Sequence, residues 1–143
     1  MGSRRRSRGG RSGYTLTEML IVIAIISLLA AVLTPTLFGQ LARAKAKAAA
    51  MQLDSLTASL EMLRTDIGRY PTAAEGLTLL IEDPGQTAGW LGPYAPNAKA
   101  ITDPWGRKWA YEARGEDGYR LISLGQDGRP AGSSVNADLV AER

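Results

Sequence analysis

The chain has 143 residues, of which 17 are Lys or Arg and 14 are Asp or Glu, for a net charge of +3. This length suggests one domain with appendages. Cysteine and histidine are both absent, which excludes disulfides, thiolate metal sites and the commonest catalytic base, so any bound metal would need oxygen ligands. Residues 1–13 hold five arginines and no acid, so the rest of the chain is slightly acidic. That remainder lacks a basic stripe interleaved with aromatic residues, and we expect no nucleic-acid binding.

An almost unbroken apolar segment follows the basic start. Residues 19–33 have the sequence MLIVIAIISLLAAVL, and flanking residues extend the segment to about 23, enough for one bilayer crossing. Because the arginines precede it, the positive-inside rule predicts a cytoplasmic N-terminus and an exported C-terminal part. An ordinary signal peptide is the alternative. The continuation of the apolar run into a helical pattern, and Glu18 at its start, argue against that alternative.

Glu18 lies where this apolar segment begins. A carboxylate beside hydrocarbon is costly, so it usually marks a functional partner. It could instead be a helix-start acid that interacts with the helix dipole, a contribution of under about 1 kcal/mol. The residues alone leave both interpretations open.

A helical pattern continues beyond Pro35. Gly68 can provide a left-handed cap and Pro71 cannot continue a helix, so we predict one helix over about residues 15–67, roughly 80 Å long. Pro35 should bend this helix or melt it locally. Apolar residues at alternating spacings of three and four predict one face that packs as core on a small sheet: Leu53, Leu56, Leu60, Leu63 and Ile67.

The C-terminal half predicts short strands and long connections. Residues 83–96 are rich in Gly and Pro and are predicted as loop. Alternating patterns in residues 107–113 and 119–124 predict two strands, and a turn at residues 116–118 makes them a hairpin. We therefore expect an α+β fold, in which the long helix packs on an antiparallel sheet of about three strands and the C-terminus is loop-rich.

The sequence GYTLTEML of residues 13–20 resembles the class III signal of type IV pilins and pseudopilins. The resemblance implies a type IV pilin-like fold, cleavage after Gly13 by a prepilin peptidase, and N-methylation of Tyr14. Glu18 and Pro35 match the family's glutamate and helix-kinking proline. The resemblance also implies a partner for Glu18, namely the new amine of Tyr14 on a neighbouring subunit. Opposite charges near hydrocarbon attract strongly and an unpaired glutamate is costly, so this pairing could select the stagger of subunits during assembly.

Other motifs resemble the major pseudopilins of the type II secretion system. These are the YPT sequence at residues 70–72, the EGL sequence at 75–77 and the DPWG sequence at 103–106. Trp109 occupies a position where tyrosine is more frequent. The DPWG sequence by itself indicates a turn that leads into a strand, which agrees with the family interpretation.

The tail from Ser123 to Leu139 resembles the calcium loop of the same family. Asp127–Gly128 alone would indicate only a tight turn. Two neutral residues stand where relatives often carry aspartates, which should weaken Ca²⁺ binding without preventing it, because calcium accepts neutral oxygens. The ligands that the resemblance implies are the Leu124 carbonyl, Asp127, Ser134, Asn136 and Asp138.

The resemblance implies a structural subunit and not an enzyme. Residues 1–13 would be the leader, 14–38 the transmembrane and polymerisation helix, and 39–143 a periplasmic globular domain. The subunit would sit in the inner membrane, N-terminus cytoplasmic and C-terminus periplasmic. It would then polymerise into a pseudopilus that helps drive folded proteins across the outer membrane. Implied partners are further copies, minor pseudopilins, the inner-membrane assembly platform, the prepilin peptidase and the membrane.

Three alternatives remain at this point. A type IV pilin commonly closes a C-terminal loop with a disulfide, which zero cysteines disfavour. A minor pseudopilin often lacks the glutamate or the calcium loop, whereas this chain keeps both patterns. A membrane-anchored periplasmic enzyme would need a cleft of converging polar groups, and roughly 75 residues after the helix leave little room for one.

Overall fold

The computed structural model describes residues 13–143. One long helix, α1, spans Leu16–Ile67, and three strands follow it: β1 at Ala110–Ala113, β2 at Tyr119–Ser123 and β3 at Leu139–Glu142. Short 3-10 helices lie in the connections, at Gly76–Leu80 and Ser134–Asn136. The chain divides into two compact units, one ending at Phe38 and the other formed by Gly39–Arg143. The predicted α+β fold is confirmed.

The helix α1 ends where the sequence predicts. Gly68 has a φ of +80°, and its N–H donates a hydrogen bond to the Arg64 carbonyl at 2.8 Å. Side chains with a Cβ disfavour this left-handed conformation, so glycine is suited to close the helix.

Pro35 lies inside α1, which stays α-helical on both sides of it. The local melting that we considered for this position therefore does not occur in this structure. Proline has no N–H to donate to the preceding turn. In that turn the hydroxyl of Thr34 donates to the Ala30 carbonyl at 2.6 Å, a bond that threonine often makes inside helices.

The core of the second unit lies on one face of α1, as the spacing of leucines predicts. Leu60 and Leu63 are fully buried, and they belong to one cluster with Tyr119 and Leu121 of β2. Ile67 is partly buried against the same cluster. Burying a side chain of this size contributes about 1.5–3 kcal/mol, so this face holds helix and sheet together.

The sheet is antiparallel with the order β1-β2-β3. The first strand was predicted over residues 107–113, but β1 begins only at Ala110, so residues 107–109 are not part of it. Lys108 makes only an isolated bridge with Thr102, and the N–H of Trp109 bonds the Ile101 carbonyl at 3.2 Å. These bonds turn the segment back on its own preceding residues, so ladder pairing with β2 begins only at Ala110.

The predicted loop of residues 83–96 contains no helix or strand and is held firmly. The Tyr94 hydroxyl donates to Asp66 at 2.7 Å, and the Trp90 indole N–H donates to the Leu79 carbonyl at 2.9 Å. Gln52 of α1 supports the following segment, because its amide nitrogen lies 2.7–3.1 Å from three backbone carbonyls in residues 99–102.

Candidate functional site

Gly13 and Tyr14 precede α1 and are exposed. The Tyr14 side chain is 81% exposed, and a Cβ built on Gly13 would meet no atom within 4 Å. The described part of the chain therefore leaves Gly13 and Tyr14 uncovered. The arginines of the predicted leader lie in residues 1–12, outside the described residues.

Glu18 has a partner within its own chain. Its Oε2 accepts hydrogen bonds from the backbone N–H of Thr15 at 2.7 Å and from the Thr15 hydroxyl at 2.9 Å. The Thr15 hydroxyl in turn accepts from the N–H of Glu18 at 3.1 Å. This reciprocal pattern is a capping box, which satisfies N–H groups at the start of a helix. The sequence interpretation missed Thr15, although the spacing T-x-x-E was the available signal.

The first half of α1 exposes nearly all of its apolar side chains. The large apolar residues from Leu16 to Leu41 are between 40% and 83% exposed. Among residues 13–143 this is the single helix that is long and apolar enough to cross a membrane. A contiguous apolar surface of this extent marks a membrane or protein interface.

The second half of α1 carries another exposed stripe, opposite its buried leucines, which the sequence interpretation missed. Met51 and Met62 are 64% and 60% exposed. Alternating spacings of four and three put a row of small or apolar side chains on one helix face, as in helix–helix seams. The exposed residues of this stripe are Ala44, Ala48, Met51, Ser55, Ala58 and Met62.

The predicted calcium ligands lie in one irregular segment, residues 124–138, which we call the C-terminal loop. The Leu124 carbonyl accepts from the Gly128 N–H at 3.2 Å, and the backbone N–H of Gln126 donates to the Val135 carbonyl at 3.3 Å. A Cβ on Gly125 would lie 2.6 Å from the Asn136 carbonyl oxygen, so only glycine allows this approach. The loop is therefore tightly closed on itself.

The C-terminal loop carries two carboxylates, Asp127 and Asp138, of the kind that calcium prefers as ligands. Asp138 Oδ2 accepts from the Ala131 N–H at 2.9 Å, whereas Asp138 Oδ1 is buried with no hydrogen-bond partner among the described residues. A buried carboxylate oxygen without a partner is costly, and a hard cation would satisfy it. Residues 13–143 contain no cluster of three or more acids, so the site would combine Asp127 and Asp138 with neutral oxygens. The neutral donors are the Leu124 carbonyl, Ser134 and Asn136.

The DPWG turn has a buried acid at its start, which the sequence interpretation had taken only as part of a turn. Asp103 is 5% exposed. Its Oδ1 accepts from the N–H groups of Trp105 at 3.0 Å and Arg107 at 2.8 Å. Its Oδ2 accepts from the Ser123 hydroxyl at 2.9 Å and lies 3.4 Å from Arg107 Nε. Asp103 thus ties the turn to the end of β2, where the C-terminal loop begins.

Comparison with known proteins gives the family of this chain. The family described as type II secretion system protein G matches residues 36–142, and the prokaryotic N-terminal methylation motif matches residues 8–34. Type II secretion system core protein G of Xanthomonas campestris pv. campestris is 37% identical over 138 residues, which cover 96% of this chain and 94% of the relative. The protein of the same name from Pseudomonas aeruginosa is 34% identical over 136 residues, covering 92% and 95%.

A solved structure agrees with these relatives. The major pseudopilin from the type 2 secretion system of enterohaemorrhagic Escherichia coli superposes with a TM-score of 0.52 at 27% identity. The match covers 74% of this chain and 93% of that structure. The resemblance found in the motifs is confirmed, and the chain belongs to the protein G family of the type II secretion system, the family of the major pseudopilins.

Proposed function

We propose that this chain is made as a precursor, clipped after Gly13, and polymerised through α1 into the periplasmic pseudopilus of type II secretion. As a member of its family it is a structural subunit. The observation that carries the proposal is the exposed apolar surface of α1 from Leu16 to Leu41. This surface is stable only in a bilayer or against other copies, because exposing it to water is unfavourable.

Before assembly, residues 14–38 cross the inner membrane. The arginines of residues 1–13 keep the N-terminus cytoplasmic, so Gly39–Arg143 lie in the periplasm. A prepilin peptidase cuts at the cytoplasmic face, and Tyr14 is then N-methylated. The exposure of Gly13 and Tyr14 and the match to the methylation motif support this step.

Glu18 selects the stagger between neighbouring subunits. Its capping bonds with Thr15 use part of the acceptor capacity of the carboxylate, which has about four lone-pair positions. The positively charged amine of Tyr14 on an adjacent copy can therefore bond Glu18 without breaking the cap. In surroundings of low dielectric constant this attraction is strong, and a copy inserted out of register leaves the charge unpaired.

Polymerisation uses the second half of α1 as well. The stripe from Ala44 to Met62 is exposed and faces away from the core, so it is free to pack on α1 of another copy. Contacts that repeat head to tail do not close, and they generate a helical fibre. Minor pseudopilins and the inner-membrane assembly platform are the further partners of this fibre, which helps drive folded proteins across the outer membrane.

Calcium binds in the C-terminal loop. Leu124, Asp127, Ser134, Asn136 and Asp138 would hold the ion, and the buried, unpartnered Asp138 Oδ1 supports this assignment. When bound, calcium satisfies that oxygen and stabilises the folded loop by mass action. The melting temperature of the full chain in detergent should rise in excess calcium relative to chelator, and much less so in Asp138→Asn. Equal melting temperatures of the wild type in both conditions would remove calcium from the proposal.

Mass spectrometry of the chain from cells with the peptidase tests the main proposal. The wild type should begin at methylated Tyr14, and Gly13→Leu should keep residues 1–13. A mature-sized Gly13→Leu chain would contradict the cleavage site.

Two variants of Glu18 separate capping from charge. Glu18→Gln keeps an oxygen that can cap Thr15 but has no charge, and Glu18→Ala loses both. We expect both variants to be cleaved and both to yield few filaments, because the amine of Tyr14 needs a carboxylate. Normal filament yield from Glu18→Gln would show that the cap, and not the charge, is what assembly requires.

A further inference from the structure

Arg107 follows the DPWG turn, and three residues contact its side chain. Its Nε lies 3.4 Å from Asp103 Oδ2, and its guanidinium carbon lies 5.8 Å from the centre of the Trp105 ring. Its Nη2 donates to the carbonyl of Gly125 in the C-terminal loop. The guanidinium therefore lies between the turn and the loop, and the Arg107 side chain is 37% exposed.

The backbone of the loop bends around this guanidinium. Gly128 has a φ of +67°, and a Cβ placed there would overlap Arg107 Nη1. Gly125 and Gly128 flank Asp127, one of the predicted calcium ligands. Gly128 thus allows the loop backbone to approach a positive charge that belongs to the protein itself.

The chemistry of this contact resembles what a bound cation provides. A guanidinium is always charged, has five donors in a plane, and loses its hydration more readily than an ammonium group. It can therefore bond the Asp103 carboxylate and the Gly125 carbonyl together. Residues 124–138 hold two acids, Asp127 and Asp138, and one base, Arg129, so the loop has little negative charge to neutralise.

We propose that Arg107 is a built-in cation that holds the C-terminal loop on the domain, so that the loop stays folded when calcium is absent. Arg107 is a positioning residue: it orders the loop through Gly125 and is not an ion ligand. The proposal goes beyond the calcium site, because Arg107 is none of the residues that would hold the ion. Its consequence is that calcium and Arg107 support the same loop, and loss of one makes the other more important.

Hydrogen–deuterium exchange of the full chain in detergent tests this proposal. It is measured once in excess chelator and once in excess calcium. Arg107→Gln removes the charge, and Arg107→Lys keeps it without the planar donors. The control is Arg114→Gln, which removes an arginine that pairs with Glu142 at 3.4 Å. In chelator, amides of residues 124–138 should exchange roughly tenfold faster in Arg107→Gln than in wild type, as expected for a lost hydrogen bond of a charged group.

The other variants and the calcium condition separate the role of Arg107 from other causes of faster exchange. In chelator, the exchange rate of residues 124–138 in Arg107→Lys should lie between those of the wild type and Arg107→Gln. The rate in Arg114→Gln should equal that of the wild type. Excess calcium should reduce the difference in exchange rate between the wild type and Arg107→Gln. Equal exchange of wild type and Arg107→Gln in chelator would overturn the proposal. The proposal would also be overturned if Arg107→Gln increased exchange in β2 as much as in residues 124–138, because Arg107 would then support the whole domain. If calcium changes nothing in either chain, the calcium site fails, while the chelator comparison still decides the role of Arg107.

Discussion

Asp103 offers the sharpest test of how the DPWG turn holds the domain together. In Asp103→Asn the remaining oxygen can still accept from the N–H groups of Trp105 and Arg107, and the Ser123 hydroxyl can turn to accept from the new amide. Arg107 Nε loses its acceptor. A hydrogen bond to a charged group contributes about 1.5–3 kcal/mol, and this one is long and partly exposed, so we expect a loss of about 1–2 kcal/mol. Asp103→Ala also leaves two backbone donors without partners and should cost about 3–5 kcal/mol.

Urea unfolding of the full chain in detergent, followed by tryptophan fluorescence, measures these losses. All three tryptophans lie in Gly39–Arg143, at positions 90, 105 and 109, so the signal reports this unit alone. The matched control is Asp117→Asn, since Asp117 is 86% exposed and pairs with Arg64 at 2.8 Å. An exposed pair of this kind contributes about 0–1 kcal/mol. If Asp103→Asn costs no more than Asp117→Asn, the buried carboxylate is not what fixes the turn.

Three further predictions use urea unfolding or hydrogen–deuterium exchange. Gln52→Ala should lower the free energy of unfolding by about 1–2 kcal/mol, because three carbonyls lose their donor; an unchanged urea midpoint would contradict this. The pKa of Glu75 is lowered to about 2, first because Arg69 donates hydrogen bonds to it. Ionised Glu75 therefore stabilises the fold above its ordinary pKa of 4.5, and this contribution is lost as pH falls towards 2. Glu75→Gln should make urea midpoints less pH-dependent between about pH 5 and pH 3, and an unchanged slope would refute the assignment. Gly125→Ala should open the C-terminal loop, because its Cβ would meet the Asn136 carbonyl at 2.6 Å; unchanged exchange in residues 124–138 would contradict this.

Local patterns in the sequence predicted most of the fold. The spacing of the leucines on α1 gave the core face, and Gly68 gave the end of the helix, because both depend on neighbours within a few residues. The second strand, predicted over residues 119–124, is β2 at Tyr119–Ser123. The strand β3 was not located, since its four residues, LVAE, carry too short an alternation to be recognised.

Contacts between distant residues were beyond prediction. Nothing near Gln52 in the sequence indicates that its amide meets carbonyls 47–50 positions later. The bond between Ser123 and Asp103 likewise depends on how β2 packs beside the turn. The family resemblance supplied the candidate calcium ligands, but Arg107 is no part of that pattern, so nothing in the sequence predicted its contact with the loop.

The edges of the sheet matter for a protein that assembles into a polymer, where many copies lie close together. A fibre concentrates many copies, and β1 and β3 form the two edges of the sheet in every copy. Unpaired strand edges can recruit edges of other molecules and start irreversible aggregation. Here each edge strand has four residues, and Glu142 on β3 lies within reach of two arginines, Arg114 and Arg120. Short edge strands with charged side chains such as Glu142 make amyloid-like fusion between copies unfavourable.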